Sequence, residues 1–225
     1  SSRYLLPLMP ALAMLMATGQ QCFAFLSGQP EFAAFWWPNY VRIINWFLDF
    51  EHQQRLERPR IAVETGGRQK LVLSPDTVLE LHGRADRIEQ YPDGSFSIYD
   101  YKTGRAPTAK EVMARLESQL TVTAALVQQG GFEKIDARTL RLFDYIKLGG
   151  ETGGTMVNLP QNIKDMALED LVKTHWQGVM KLMQAHWIEG RGFASRLYPP
   201  KSDSFGLYDH LARVKEWALG EQEEA

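Results

Sequence analysis

The stretch Leu81 to Gly104, LHGRADRIEQYPDGSFSIYDYKTG, concentrates the residue types that do chemistry. Pro92-Asp93-Gly94 suits a three-residue hairpin loop: proline presets φ, aspartate occupies the turn and glycine supplies the left-handed residue. Such a loop pairs Tyr91 with Ser95, and pairing carried back along both strands sets Asp86 opposite Asp100. Directly opposed side chains on an antiparallel pair have Cβ atoms about 4.5–5.5 Å apart. On the second strand Phe96, Ile98, Asp100 and Lys102 share one face, which runs from apolar into charged. Opposed carboxylates repel unless a cation lies between them. That cation is either Lys102, in an ordinary salt bridge at a solvated hairpin end, or a hard divalent ion such as Mg²⁺, which takes a few carboxylate oxygens and waters.

Three further groups bear on this centre. Gln119 falls on a stripe with Val112, Leu116, Thr123 and Leu126 in the helix predicted after the hairpin, where a buried amide needs a partner. Glu64 ends an Ile61-Ala62-Val63-Glu64 strand and is either a further acid of the site or a surface strand end. Arg84, Arg87, Arg105, Lys110 and Arg115 cluster around the motif as phosphate contacts or as surface ion pairs. His175 and His186 lie eleven apart, too far for an i, i+4 metal pair, and read as core-edge or interface residues. Gly149-Gly150 and Gly153-Gly154 lack the following Lys-Ser/Thr of a phosphate loop and read as a hairpin turn.

The elements that must position these residues follow from periodicity. Helices are predicted over 10–26 and 31–56, the second bearing Phe35, Trp36, Val41, Ile44, Phe47 and Leu48 at helical spacing. Strands are predicted over 60–64, 70–73, 77–90 and 95–102, with Gly66-Gly67, Ser74-Pro75 and Pro92-Asp93-Gly94 as breaks. A helix over 108–129 precedes strands at 138–147 and 154–158, a long amphipathic helix over 163–189 and a short one near 208–219. This is a mixed α/β chain, expected to be one domain over 1–225: N-terminal helices 1–58, sheet and catalytic core 59–160, C-terminal helices 161–225.

Composition narrows the function. With 44% hydrophobic and 23% charged residues the chain reads as an ordinary globular protein. Its net charge of −2 excludes a global basic field, so any nucleic acid is held locally or delivered by a partner. Around the motif, acids nearly balance the bases, and weak DNA binding by this chain alone is expected. The single cysteine, Cys22, cannot form an internal disulfide or a cysteine metal cluster, and points to a reducing compartment, hence a cytoplasmic location. The apolar start, Leu5 to Ala17, is interrupted by Pro7 and Pro10 and is too short to span a bilayer; a buried helix is expected. A chain opening Ser1-Ser2 reads as a fragment of something longer.

Gly83-Arg-Ala-Asp86-Arg-Ile, Asp100-Tyr-Lys102-Thr-Gly104 and Gln119 together resemble the RecB-like nuclease signature of the PD-(D/E)XK superfamily. More narrowly, Phe35-Trp36-Trp37-Pro38, Trp46, Gln119-Leu120-Thr121, Gly130-Gly131-Phe132 and Tyr208 to Val214 resemble the C-terminal nuclease domains of AddB-type subunits, in their alphaproteobacterial form. The resemblance implies a restriction-endonuclease-like fold, with a central mixed sheet flanked by helices. It implies an Mg²⁺- or Mn²⁺-dependent deoxyribonuclease acting in double-strand-break repair within a helicase–nuclease complex. Its partners would be DNA, as single-stranded ends, and an AddA-type helicase–nuclease subunit. Asp86, Asp100 and the Tyr101 backbone carbonyl would ligate the metal, with Glu64 a less secure ligand; Lys102 would orient the attacking water and Gln119 position the site. Three features depart from the pattern. A helical histidine is missing from the expected place, and His52 lies at the far end of its helix. The four cysteines of an iron–sulfur cluster are absent. Thr123 stands where a tyrosine often follows the glutamine. A catalytically silent module of the same fold, used for assembly or DNA guidance, is the alternative.

Overall fold

The computed structural model describes residues 9–164 and 166–192. By packing, the chain divides into Ser1–Lys181 and Leu182–Ala225. The first unit carries the sheet and the candidate site. In the second, within 182–192, the His186 ring donates from Nδ1 to the Arg191 carbonyl at 2.7 Å. The helix expected near 208–219 and the Tyr208–Val214 segment lie outside the described residues.

Two helices come first, α1 (Met9–Cys22) and α2 (Trp37–Arg55), and a π-helical turn at Phe32–Trp36 leads into the second. Pro38 sits in the first turn of α2, directly after the π-helical turn. A five-stranded sheet follows in the order β1 (Arg60–Ser74), β2 (Thr77–Gln90), β3 (Ser95–Lys102), β4 (Thr139–Leu148), β5 (Gly154–Met156). Only the β3–β4 pair is parallel, as the crossover through α3 (Ala109–Met113) and α4 (Gln119–Gln128) requires. The chain then runs through α5 (Leu159–Asn162) into α6 (Leu168–Trp187). The result is the expected mixed sheet flanked by helices.

Side-chain alternation divides the core. Phe96 and Ile98 of β3 face α4 and join Ala124, Leu126, Phe143, Leu171 and Val172 in the larger cluster. Tyr99 faces the other way, onto Phe50 of α2, with ring centroids 5.8 Å apart. Helix α2 also lies close over the β4–β5 turn. A Cβ on Gly153 would come within 2.2 Å of the Arg42 carbonyl oxygen, so only glycine fits there.

Several expected boundaries move: α1 ends at Cys22 and not near 26, α6 begins at Leu168 and not near 163, and two further differences concern the sheet and its crossover. Gly66-Gly67 does not break a strand: β1 runs on through it. A Cβ on Gly67 would lie 2.7 Å from the Phe132 ring, and the Gly131 carbonyl accepts the Arg68 N–H at 2.8 Å, so packing and not a turn explains a glycine here. The helix expected over 108–129 is two helices. A Thr108–Glu111 capping box starts α3, and Arg115 with φ 61° ends that path. Leu116 is therefore 55% exposed, and the stripe joining it to Gln119 does not exist. Gln119 is instead the first residue of α4.

Candidate active site

The β2–β3 ladder has the register expected from the Pro92-Asp93-Gly94 loop: it runs from Gln90–Phe96 to Arg87–Tyr99 and ends there. Tyr91 donates its N–H to the Ser95 carbonyl at 2.9 Å, and Gly94 takes φ 82°. Asp86 and Asp100 are thus the next positions beyond the last regular pair. Asp86, half-buried, accepts the Tyr101 backbone N–H on Oδ2 at 3.0 Å.

On the other edge of Asp86 the β1–β2 ladder is also irregular. Val63 pairs with Arg87 and Thr65 with Ala85, but Glu64 between them has a left-handed φ of 48°. Facing changes at this point. Ala62 and Ile88 pack into the α4-side core, and so do Leu81 and Ala85 farther along, although strict alternation would turn these outward. Irregular strand positions of this kind re-aim side chains and recur beside active sites.

Asp100 is only 3% exposed and belongs to the α4 face. Its Oδ1 accepts from the Gln119 amide at 2.6 Å. The Lys102 ammonium lies 2.5 Å from Oδ2 and forms an ion pair with it. Lys102 also donates to the Gln119 carbonyl oxygen at 3.3 Å and stands 5.5 Å from the centroid of the Tyr145 ring. Burial pushes the Asp100 carboxyl above its ordinary range; Lys102 and Gln119 oppose this, and the Asp86 charge adds to it. The two carboxylates therefore feel one another.

Asp100, Lys102 and Gln119 thus contact one another, while Asp86 is bonded to the adjoining Tyr101 amide and its charge is felt at Asp100. Gln119 reaches it from the start of α4, not from mid-helix. Glu64 stays apart: it is exposed and pairs with Arg84 at 2.8 Å. Both Glu64 and Asp86 nevertheless line a cavity of about 800 Å³ on the α2 side, with Phe47, Glu51, His52 and Tyr101. His52, at the far end of α2, therefore shares a cavity with Asp86.

The expected cationic cluster does not hold as a set. Arg87 is a correction: at 2% exposure, enclosed by Glu51 and Glu89, it cannot reach a phosphate. Arg105 is held two-pronged by Glu111, both bonds 2.9 Å, and that pairing pulls the Glu111 carboxyl down to about 2. Lys110 and Arg115 are exposed, on α3 and on the turn after it. His175 is a core residue: it is 3% exposed and its Nδ1 lies 2.7 Å from the Thr121 hydroxyl.

Sequence reasoning missed the interior ionic residues Arg87, Glu89 and Asp144. Asp144 is structural: its carboxylate accepts the backbone N–H groups of Tyr145, Asn158 and Leu159 at 2.8, 2.9 and 3.2 Å, fixing the turn into α5. For the other two a signal existed, because Arg87, Glu89 and Tyr91 alternate onto one face of β2.

Among the described residues no group of three or more His, Cys, Asp or Glu side chains is disposed to hold an ion. Two carboxylates whose charges are felt by one another suit a cation that keeps waters and substrate oxygens in its sphere, as Mg²⁺ does. The residues fit such an ion.

The chain is 26% identical over 197 residues to an uncharacterized protein of Rickettsia felis, covering 74% of this chain and 22% of that one. It is 34% identical over 185 residues to the uncharacterized protein RC0550 of Rickettsia conorii, covering 74% of this chain and 21% of that one. The chain thus spans about a fifth of the length of these curated relatives. Among solved structures it is similar to the crystal structure of SSO0001, with a TM-score of 0.30, 14% identity, and 67% and 69% of the two chains covered. The profile of the PD-(D/E)XK nuclease superfamily matches residues 19–193, across both strands of the hairpin and α4, and the chain belongs to that superfamily.

Proposed function

We propose that this chain is a divalent-metal-dependent deoxyribonuclease whose centre is Asp86, Asp100 and Lys102. The observation that carries the reading is the convergence at the end of the β2–β3 ladder of the buried Asp100 carboxylate, held by Gln119 on one oxygen and paired with Lys102 on the other, with Asp86 beside it. Asp86, Asp100 and the Tyr101 carbonyl would hold Mg²⁺ or Mn²⁺. When bound, such an ion polarises the phosphoryl oxygen and acidifies a water. Lys102, 30% exposed and tethered to Gln119, can turn its ammonium toward a phosphate and offset charge that develops there. Gln119 fixes the rotamer of Asp100 and the reach of Lys102 together.

The substrate we favour is single-stranded DNA. The cavity beside Asp86 has an aromatic and aliphatic wall that includes Phe47, Tyr101, Met14 and Leu148. Unstacked bases have exposed faces for such a wall, whereas a duplex presents mainly its phosphates. The resemblance to AddB-type nuclease domains supports a role in double-strand-break repair, in the cytoplasm, beside an AddA-type subunit. No helix among the described residues is long and apolar enough to cross a membrane. A single-stranded oligonucleotide incubated with the chain and Mn²⁺ tests the reading. Wild type should cut it, while Asp86→Ala, Asp100→Ala and Lys102→Ala should each lose at least about a hundredfold in rate with the fold retained. Cutting by Asp100→Ala at the wild-type rate would exclude this assignment.

A further inference from the structure

On the α2 side of β2 and β3 lies a buried ionic network that the proposed reaction does not use. Arg87 is 2% exposed and Glu89 is fully buried. Arg87 donates to Glu89 from Nε at 2.8 Å and from Nη2 at 2.5 Å, and its Nη1 donates to Glu51 of α2 and to the Tyr101 hydroxyl, the latter at 3.1 Å. The second Glu89 oxygen accepts the Tyr91 hydroxyl at 2.7 Å, and the guanidinium lies 5.3 Å from the Phe50 ring centroid. As glue this is a poor choice. Each buried ion costs several kcal/mol of desolvation, and apolar side chains of similar volume often hold a core as well or better.

Its location suggests another use. Regular pairing of β2 with β3 stops at Arg87–Tyr99, and on the other side the β1–β2 ladder is interrupted at Glu64, opposite Asp86, before it resumes at Thr65–Ala85. The hydrogen bond that holds its carboxylate comes from the Tyr101 N–H. Tyr101 is also the residue whose hydroxyl Arg87 grips. One residue therefore carries both ends of the link, its side chain to Arg87 and its amide to Asp86.

We infer that Arg87 is a positioning residue for the candidate metal site. Anchored to Glu51 and Glu89, it holds the Tyr101 side chain against α2, and this keeps the Tyr101 amide aimed at Asp86. The inference rests on the metal-dependent nuclease reading above.

Tyr101→Phe removes the hydroxyl and leaves the Arg87–Glu51–Glu89 bonds in place. Arg87→Lys keeps the charge and loses the fork that bonds three partners at once. Tyr91→Phe is the control, because it removes a hydroxyl from the same network on the side away from Asp86. The measurements are the Mn²⁺ concentration for half-maximal cleavage of a single-stranded oligonucleotide, the rate at saturating Mn²⁺, and Tm. Loss of a group that orients a metal ligand typically weakens metal binding or activity about 10–100-fold. Tyr101→Phe should accordingly raise the half-saturating Mn²⁺ roughly tenfold with Tm nearly unchanged, and Arg87→Lys should raise it further. Tyr91→Phe should leave it at the wild-type value. Equal Mn²⁺ dependence in wild type and Tyr101→Phe would overturn the inference, and so would an equal shift in Tyr91→Phe and Tyr101→Phe. Absence of Mn²⁺-dependent cleavage by wild type is a different failure: it would overturn the nuclease reading, and the inference with it.

Discussion

Two charged clusters lie on opposite faces of the same pair of strands. On the α2 face, Arg87 is bonded to Glu51, Glu89 and Tyr101, and Glu89 has partners on both oxygens. On the α4 face, Asp100 accepts from Gln119 on one oxygen and on the other meets the ammonium of Lys102, a lysine that is 30% exposed. The guanidinium feels burial as a penalty, but the bonds to Glu51 and Tyr101 and the field of Glu89 outweigh it, and its pKa rises. Asp100 shows the reverse balance: burial outweighs Lys102 and Gln119, and the carboxyl is driven toward its neutral form. The Arg87 cluster is closed, its charges neutralised inside the fold. At Asp100 the neutralising ammonium reaches solvent, where a ligand can share it.

The contrast can be broken by substitution. Arg87→Met should be the most damaging change, because it leaves Glu89 buried beside Glu51 with no cation between them; a loss of about 3–5 kcal/mol is expected in urea unfolding. Asp100→Asn should do the opposite: without added metal at neutral pH its Tm should be no lower than that of wild type, since it removes a charge that burial disfavours, while cleavage is lost. A large fall in Tm would mean that Asp100 serves cohesion after all.

His175 sharpens the comparison in a neutral setting. Burial first, and the nearby Arg115 charge second, lower its pKa in the folded chain. The unfolded chain then binds the proton more readily, so this stability is whole above about pH 6.5 and is lost as pH falls through the folded value. Thermal melts between pH 7.5 and pH 5 should show that decline, and His175→Gln should flatten it. The smallest effect concerns Glu64. Its φ of 48° strains any residue with a Cβ, and its ion pair with Arg84 is exposed and worth little. Glu64→Gly should therefore raise stability by about 0.5–1 kcal/mol in the same unfolding assay.

The parts of this molecule that local rules govern could be read from its sequence. The hairpin is the clearest, since Pro92-Asp93-Gly94 determines the loop, and the loop determines the register that brings Asp86 toward Asp100. What escaped depends on partners distant along the chain. Arg87 reads as a surface cation because Glu51, which helps to neutralise it, lies 36 residues away. Gly66-Gly67 reads as a turn because nothing nearby in sequence announces that the Phe132 ring occupies the space beside Gly67. The division of the helix at Arg115 was hidden by good helix formers on either side, and it moved Gln119 from a stripe to a helix start without changing what Gln119 touches. That error leaves the placement of Asp100 and Lys102 untouched, because β3 places both by alternation alone.

Calorimetric titration of Mn²⁺ into the wild-type chain and into Asp100→Asn, with no DNA present, tests the central claim most directly. The account predicts saturable binding by wild type, accompanied by a rise in Tm as the ion binds the folded state, and neither effect in Asp100→Asn. Equal binding by the two proteins, or none by wild type, would contradict it.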